Sequence, residues 1–104
     1  MYSSVLVTAP DLRAANEIGQ LMVERGLAAC VNIWEVLSIY RWQGRVESAT
    51  EIPLLIKSTA ARYPALQETI RTLHPYEIPE IIAVPIIKGS REYINWLNDE
   101  TGSK

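Results

Sequence analysis

One imidazole and two carboxylates fall at regular spacing late in the chain, as His74-x-x-Glu77-x-x-Glu80. Imidazole with carboxylate is a donor set suited to Cu(II) or Zn(II), and on a helix side chains three apart are neighbours. Pro75 and Pro79 interrupt helix there, so the segment reads as a turn. Two readings stand open. Either His74, Glu77 and Glu80 form a divalent-metal site, or His74 caps the preceding helix and the carboxylates are solvated or paired with arginine.

A second set is Tyr40, Arg41, Trp42, Lys57, Tyr76 and Glu77. A lysine inside an apolar strand, as at Lys57, needs a partner or an exposed end. If the segment around Tyr40–Trp42 of one chain meets His74–Glu80 of another, a polar cleft forms at the junction. Such a cleft suits a small anion or a metal complex. Its alternative is a network of ion pairs and hydrogen bonds that fixes an assembly.

Other chemistries find less in the sequence. The single His and single Cys offer no nucleophile, base and orienting group within one chain, and no glycine-rich phosphate loop occurs, so no enzyme activity is expected. One cysteine cannot form an intramolecular disulfide, and a single-chain Cys/His zinc site lacks ligands. Cys30, beside Ala28 and Ala29, reads as a packing residue. A net charge of −2, from 10 basic and 12 acidic residues, gives no basic footprint for nucleic acid and no polybasic membrane anchor. The longest apolar run, Ile81–Ile87, is far short of the roughly 20 residues of a membrane span. The cytoplasm is the expected compartment. Three Trp and five Tyr with no Phe suit interfaces more than sealed cores, and Trp34, Trp42 and Trp96 read accordingly.

The elements that must position these residues alternate cleanly over 104 residues, the span of one domain. Ser4–Ala9 is β-branched and apolar on both faces, a central strand. Asp11 is placed to cap a helix whose apolar face is Leu12, Ala15, Ile18, Gly19 and Met22, and Gly26 stops it. Ala28–Trp42 is one long strand, Gln43-Gly44 a turn, and Val46–Thr59 the return strand. Pro53 within that strand points to an edge or a bulge. Tyr63-Pro64 opens a second helix with Leu66, Ile70 and Leu73 on its face, ended by His74-Pro75. Ile81–Ile87 is a short strand with Pro85 marking an edge. Gly89 to about Glu100 is a third helix with Tyr93, Ile94, Trp96 and Leu97 available for burial. The order β-α-β-β-α-β-α is an α+β, ferredoxin-like split βαβ plan plus a C-terminal helix.

This plan contains a conflict of lengths. Ala29–Trp42 is 14 residues, about 46 Å as a strand, whereas a domain of this size is roughly 33 Å across. Either a bulge, at Glu35-Val36, breaks the strand, or a hairpin tip with Tyr40, Trp42 and Val46 projects. A projecting two-stranded arm is only marginally stable alone. Copies of the same chain burying both arm and open sheet face resolve the conflict; a third helix folded over that face is the other resolution.

Four motifs occur in order: Leu27-Ala28-Ala29-Cys30-Val31-Asn32, Ser38-Ile39-Tyr40-Arg41-Trp42-Gln43-Gly44, Leu55-Ile56-Lys57 and His74-Pro75-Tyr76-Glu77-Ile78-Pro79-Glu80-Ile81. Together they resemble the CutA family of divalent-cation tolerance proteins over essentially the whole chain. The resemblance implies a ferredoxin-like subunit in a tight homotrimer like that of the PII signal proteins, with hairpins embracing neighbours. It implies binding of Cu(II) or another divalent cation, with no obligatory cofactor. Some bacterial members that the chain resembles carry a Cys on the first strand and a pair of adjacent His besides the glutamate. Here His74 and Glu80 match, but Val7 and Leu73 stand at the other two places. The second functional reading is therefore a PII-like signalling or scaffold module that binds a small effector or partner protein between subunits.

Overall fold

The computed structural model describes residues 2–102. The elements are β1 (Tyr2–Ala9), α1 (Leu12–Glu24), β2 (Cys30–Ile33), β3 (Val36–Trp42), β4 (Arg45–Thr59), a 3-10 turn (Ala60–Arg62), α2 (Tyr63–Leu73), β5 (Ile81–Ile86) and α3 (Arg91–Glu100). Every strand pairing is antiparallel, in the order β2-β4-β1-β5, with β3 continuing along β4 past the end of β2. This is the ferredoxin-like arrangement, with β2 and β3 as two pieces of the expected long strand.

The core lies between the sheet and two helices. Val5, Val7 and Ala9 of β1 and Ile52, Leu54 and Ile56 of β4 meet Ala15, Ile18 and Met22 of α1 and Leu66 and Ile70 of α2. Burying each of the larger of these side chains contributes on the order of 1.5–3 kcal/mol. Asp11 caps α1 as expected, its carboxylate accepting from the Ala14 N–H at 2.8 Å. Leu12 and Leu73, expected on the apolar faces, are instead exposed at the helix ends.

The break in the long strand has a different cause from the expected bulge. Ile33 pairs with Leu54 and Val36 with Glu51, so two residues separate the pairs on each strand and none is inserted. Trp34 N–H donates to the Pro53 carbonyl at 3.4 Å, and Pro53 has no N–H to return. The ladder thus lapses opposite the proline with its register intact. Nor is Pro53 at an edge. It pairs with Thr8 of β1 on the other side, and a central strand tolerates it because its missing donor falls at the gap. Pro85 does sit on an edge strand, since β5 pairs only with β1.

Beyond Ile52, the partner of Ala9, β1 ends and β4 has β3 alone for company. Residues 36–51 form a projecting two-stranded arm, and the molecule measures 45 × 25 × 21 Å. Its tip is a type I′ turn with both central residues at positive φ, Gln43 at 50° and Gly44 at 79°. Leu37, Ile39 and Val46, on one face of the arm, are 68%, 71% and 67% exposed. The third helix does not cover the open sheet face: Ile82 and Val84 of β5 and Trp34 remain exposed. It is anchored through Leu97, fully buried, and by Arg62, whose guanidinium donates to the carbonyls of Thr101, at 2.7 Å, and Gly102. Of the residues expected to bury, Tyr93 and Trp96 stay exposed, their rings 5.5 Å apart.

Candidate functional site

Pro75 disfavours helical backbone at the residue before it. His74 accordingly leaves the helix at φ −73° and ψ 134°, while its N–H still bonds Ile70 O at 2.8 Å. Its ring lies buried against β1. Nε2 meets the Thr8 carbonyl at 2.6 Å, and Nδ1 accepts from the Tyr76 N–H at 3.1 Å. A carbonyl only accepts and an amide only donates, so the neutral Nε2–H tautomer satisfies both. Both nitrogens are thereby committed to backbone, which leaves no lone pair for a metal. In this arrangement the His74 ring orders the turn that carries Glu77 and Glu80. Among the described residues, no group of three His, Cys, Asp or Glu is placed to hold a metal ion.

Tyr76 extends the network. Its ring sits 4.8 Å from that of His74, tilted by 51°, and its hydroxyl donates to Glu51 Oε2 at 2.8 Å. Burial, and then the bond to the Glu51 carboxylate, push the Tyr76 hydroxyl up to about 12. Thr8, His74, Tyr76 and Glu51 thus tie the end of β1 and the turn after α2 to the base of the arm.

Between the arm and residues 75–80 of the same chain lies a cleft of about 640 Å³. Three carboxylates line it, those of Glu51, Glu77 and Glu80. Tyr40, Trp42 and Tyr76 supply aromatic surface, and Ile39, Pro75 and Ile78 supply apolar wall. Thr8 and Ser38 complete the lining, which contains no Lys, Arg or His. A junction cleft between chains was expected to gather Arg41 and Lys57; the cleft formed within one chain contains neither. Arg41 alternates with Tyr40 and Trp42 and so occupies the opposite face of the arm. Lys57 lies across from Cys30 and donates to Asn32 Oδ1, toward the other end of the sheet. Cys30 is half-buried beside Tyr93, whose hydroxyl is raised by burial and then by the thiol.

Glu51 is the site residue that pattern reading missed. It is 7% exposed, and on β4 it shares a face with Tyr40 and Trp42 of β3. The signal was a charged residue next to the apolar run Ile52–Ile56, on the aromatic side of the hairpin. Thr8 escaped notice because it contributes a backbone carbonyl, which any residue carries.

The model of the family described as CutA1 divalent ion tolerance protein matches residues 3–100. The divalent-cation tolerance protein CutA of Thermus thermophilus is 50% identical over 103 residues, 98% of this chain and all of that protein. Protein CutA of mouse is 42% identical over 97% of this chain, which spans 58% of the mouse protein. Among solved structures, a CutA1 of Thermus thermophilus superposes with a TM-score of 0.95 at 48% identity, covering 98% of this chain and all of that one. A CutA of Archaeoglobus fulgidus, described as periplasmic, gives 0.95 at 33% identity, covering 97% of this chain and 99% of that one. From residue 3 to residue 100, with strand order and hairpin included, the chain belongs to the CutA1 divalent ion tolerance family.

Proposed function

We propose that the protein serves divalent-cation tolerance as a homotrimer whose acidic cleft binds a divalent cation. The observation that carries this is the cleft lining: three carboxylates and no cationic side chain. A concave acidic surface raises the local concentration of cations. Glu77 and Glu80 keep the ligand role expected of them, Glu51 joins them, and His74 orders the turn that presents them. Carboxylate, hydroxyl and carbonyl oxygens suit hard ions such as Mn(II) or Mg(II), and Cu(II) less, where nitrogen or sulfur donors are lacking. Without a closed set of ligands, the ion keeps part of its water shell. The role is one of binding rather than catalysis, since the only imidazole is held by two backbone groups.

The trimer is supported by the arm. Leu37, Ile39 and Val46 form an apolar patch on one face of the arm that stays largely exposed among the described residues, and a second copy is the economical cover. Calorimetric titration of Mn(II) and Cu(II) into the native chain and into Glu77→Gln/Glu80→Gln tests the cleft. Measurable binding by the native chain and loss in the variant are expected. Equal heats in the two would overturn the cleft as the site.

A second reading, a small effector bound in the cleft, is favoured by size. About 640 Å³ far exceeds the roughly 30 Å³ share of a single water.

A further inference from the structure

We propose that the cleft accepts a linear organic polycation, a di- or triamine, with an ammonium group seated at Glu51 and its neighbour against Trp42 and Tyr40. The proposal rests on the reading of the cleft as a cation site and deepens it by naming a ligand class.

Three observations separate this class from a bare metal ion. The first is Glu51 itself. It is 93% buried by its 7% exposure, and its one hydrogen-bond donor is the neutral Tyr76 hydroxyl. Among the described residues no cationic side chain pairs with it. A buried carboxylate without a counter-charge is costly, and an ammonium entering the cleft supplies both charge and donors. The second is the wall. Trp42 and Tyr40 are 39% and 43% exposed and line the same cleft as Glu51. An aromatic face attracts an alkylammonium within about 6 Å of the ring centroid. A hydrated metal ion gains little from such a wall. The third is the combination of size and spacing. A cleft of about 640 Å³ lies in the range of small-molecule sites. It offers Ile78 and Pro75 to methylene spacers and Glu77 and Glu80 to further ammonium groups. Among the described residues no three metal-type ligands converge, so the carboxylates are spread, as a chain of separated charges requires.

Spermidine and Mn(II) are titrated separately into the 104-residue chain by calorimetry at about 150 mM salt, which screens exposed charge beyond roughly 8 Å. The native chain is expected to bind both. Trp42→Ala should weaken spermidine about fivefold or more, in keeping with a desolvated cation–aromatic contact, and leave Mn(II) unchanged. Trp42→Phe should restore most of the spermidine affinity. Glu51→Gln should weaken spermidine about tenfold, the size of a lost charge-assisted hydrogen bond. Mn(II) binding without spermidine binding overturns this inference and leaves the cation site standing. Absence of both overturns the cation site as well. Spermidine binding indifferent to Trp42→Ala and Glu51→Gln marks diffuse attraction to an acidic surface and overturns the inference. Equal loss of both ligands in folded Trp42→Ala also overturns it.

Discussion

The body of the sheet and the arm are built from one continuous strand, β4, yet they end in opposite states. From Ile52 to Thr59, β4 is flanked by β1 and β2 and roofed by α1 and α2, and Ile52, Leu54 and Ile56 are buried. From Arg45 to Glu51 the strand has only β3 beside it and neither helix above it, and Val46 lies 67% exposed. Residue type explains only part of this, since Leu37, Ile39 and Val46 of the arm are as apolar as Leu54 and Ile56 yet stay exposed. What distinguishes them is the number of layers available within one chain. The helix side of the body is sealed within one chain and the arm is not, and the cleft opens where the two halves join.

The sharpest break of this comparison is Leu54→Ala in the body. It removes a fully buried side chain and should cost about 2–5 kcal/mol in denaturant unfolding. A loss under about 1 kcal/mol would mean that the body is not the sealed half. Next is the joint. His74→Phe keeps the ring but strands the Thr8 carbonyl and the Tyr76 N–H. Each buried polar group left unpaired costs about 1–3 kcal/mol. An unfolding midpoint equal to that of the native chain would show that the two bonds do not hold the turn.

The tie between joint and arm comes third. Tyr76→Phe should cost about 1 kcal/mol by removing the one donor to Glu51. The same bond sets a pH dependence. The folded hydroxyl titrates near 12 against 10.0 ordinarily. Its contribution is therefore full below pH 10 and fades as pH rises through 12, since the unfolded chain gives up the proton first. Tyrosinate absorbance should show late titration from Tyr76 and Tyr93, and Glu51→Gln should move only the Tyr76 component toward the ordinary value. A titration unmoved by Glu51→Gln would leave burial as its sole cause. The smallest effect on the fold belongs to the arm. Ile39→Asp should leave the circular dichroism of the body unchanged while the light-scattering mass falls from three times 11.7 kDa to 11.7 kDa. An unmoved mass would detach the arm from assembly.

Much of the fold was legible because local chemistry and tertiary structure agreed. Asp11, Gly26 and Pro64 punctuate helices by backbone rules that need no distant partner, and the Gln43-Gly44 turn follows from positive φ at both residues. The long hairpin was legible from length alone. Pro53 was misplaced because pattern reading sees a missing N–H but not which neighbour would have accepted its bond. The bulge was misread for the same reason: an interruption of the pattern and an inserted residue look alike until the register is known. Arg41 and Lys57 were gathered into the site by residue type, and strand alternation and pairing keep them out of the cleft of their own chain.

The sequence by itself determined the order of elements, the family and the presence of unsatisfied aromatic and acidic groups near the hairpin and the His74–Glu80 turn. Spacing, propensity and motif are properties of neighbours along the chain. Only the tertiary structure decided that His74 spends both nitrogens on backbone, that Glu51 is buried, and that the cleft lies within one chain without a basic residue. Those outcomes depend on groups up to 66 residues apart in sequence, as His74 and Thr8 are. Hydrogen-bond direction and burial are set by what the fold brings alongside, and no local pattern records it.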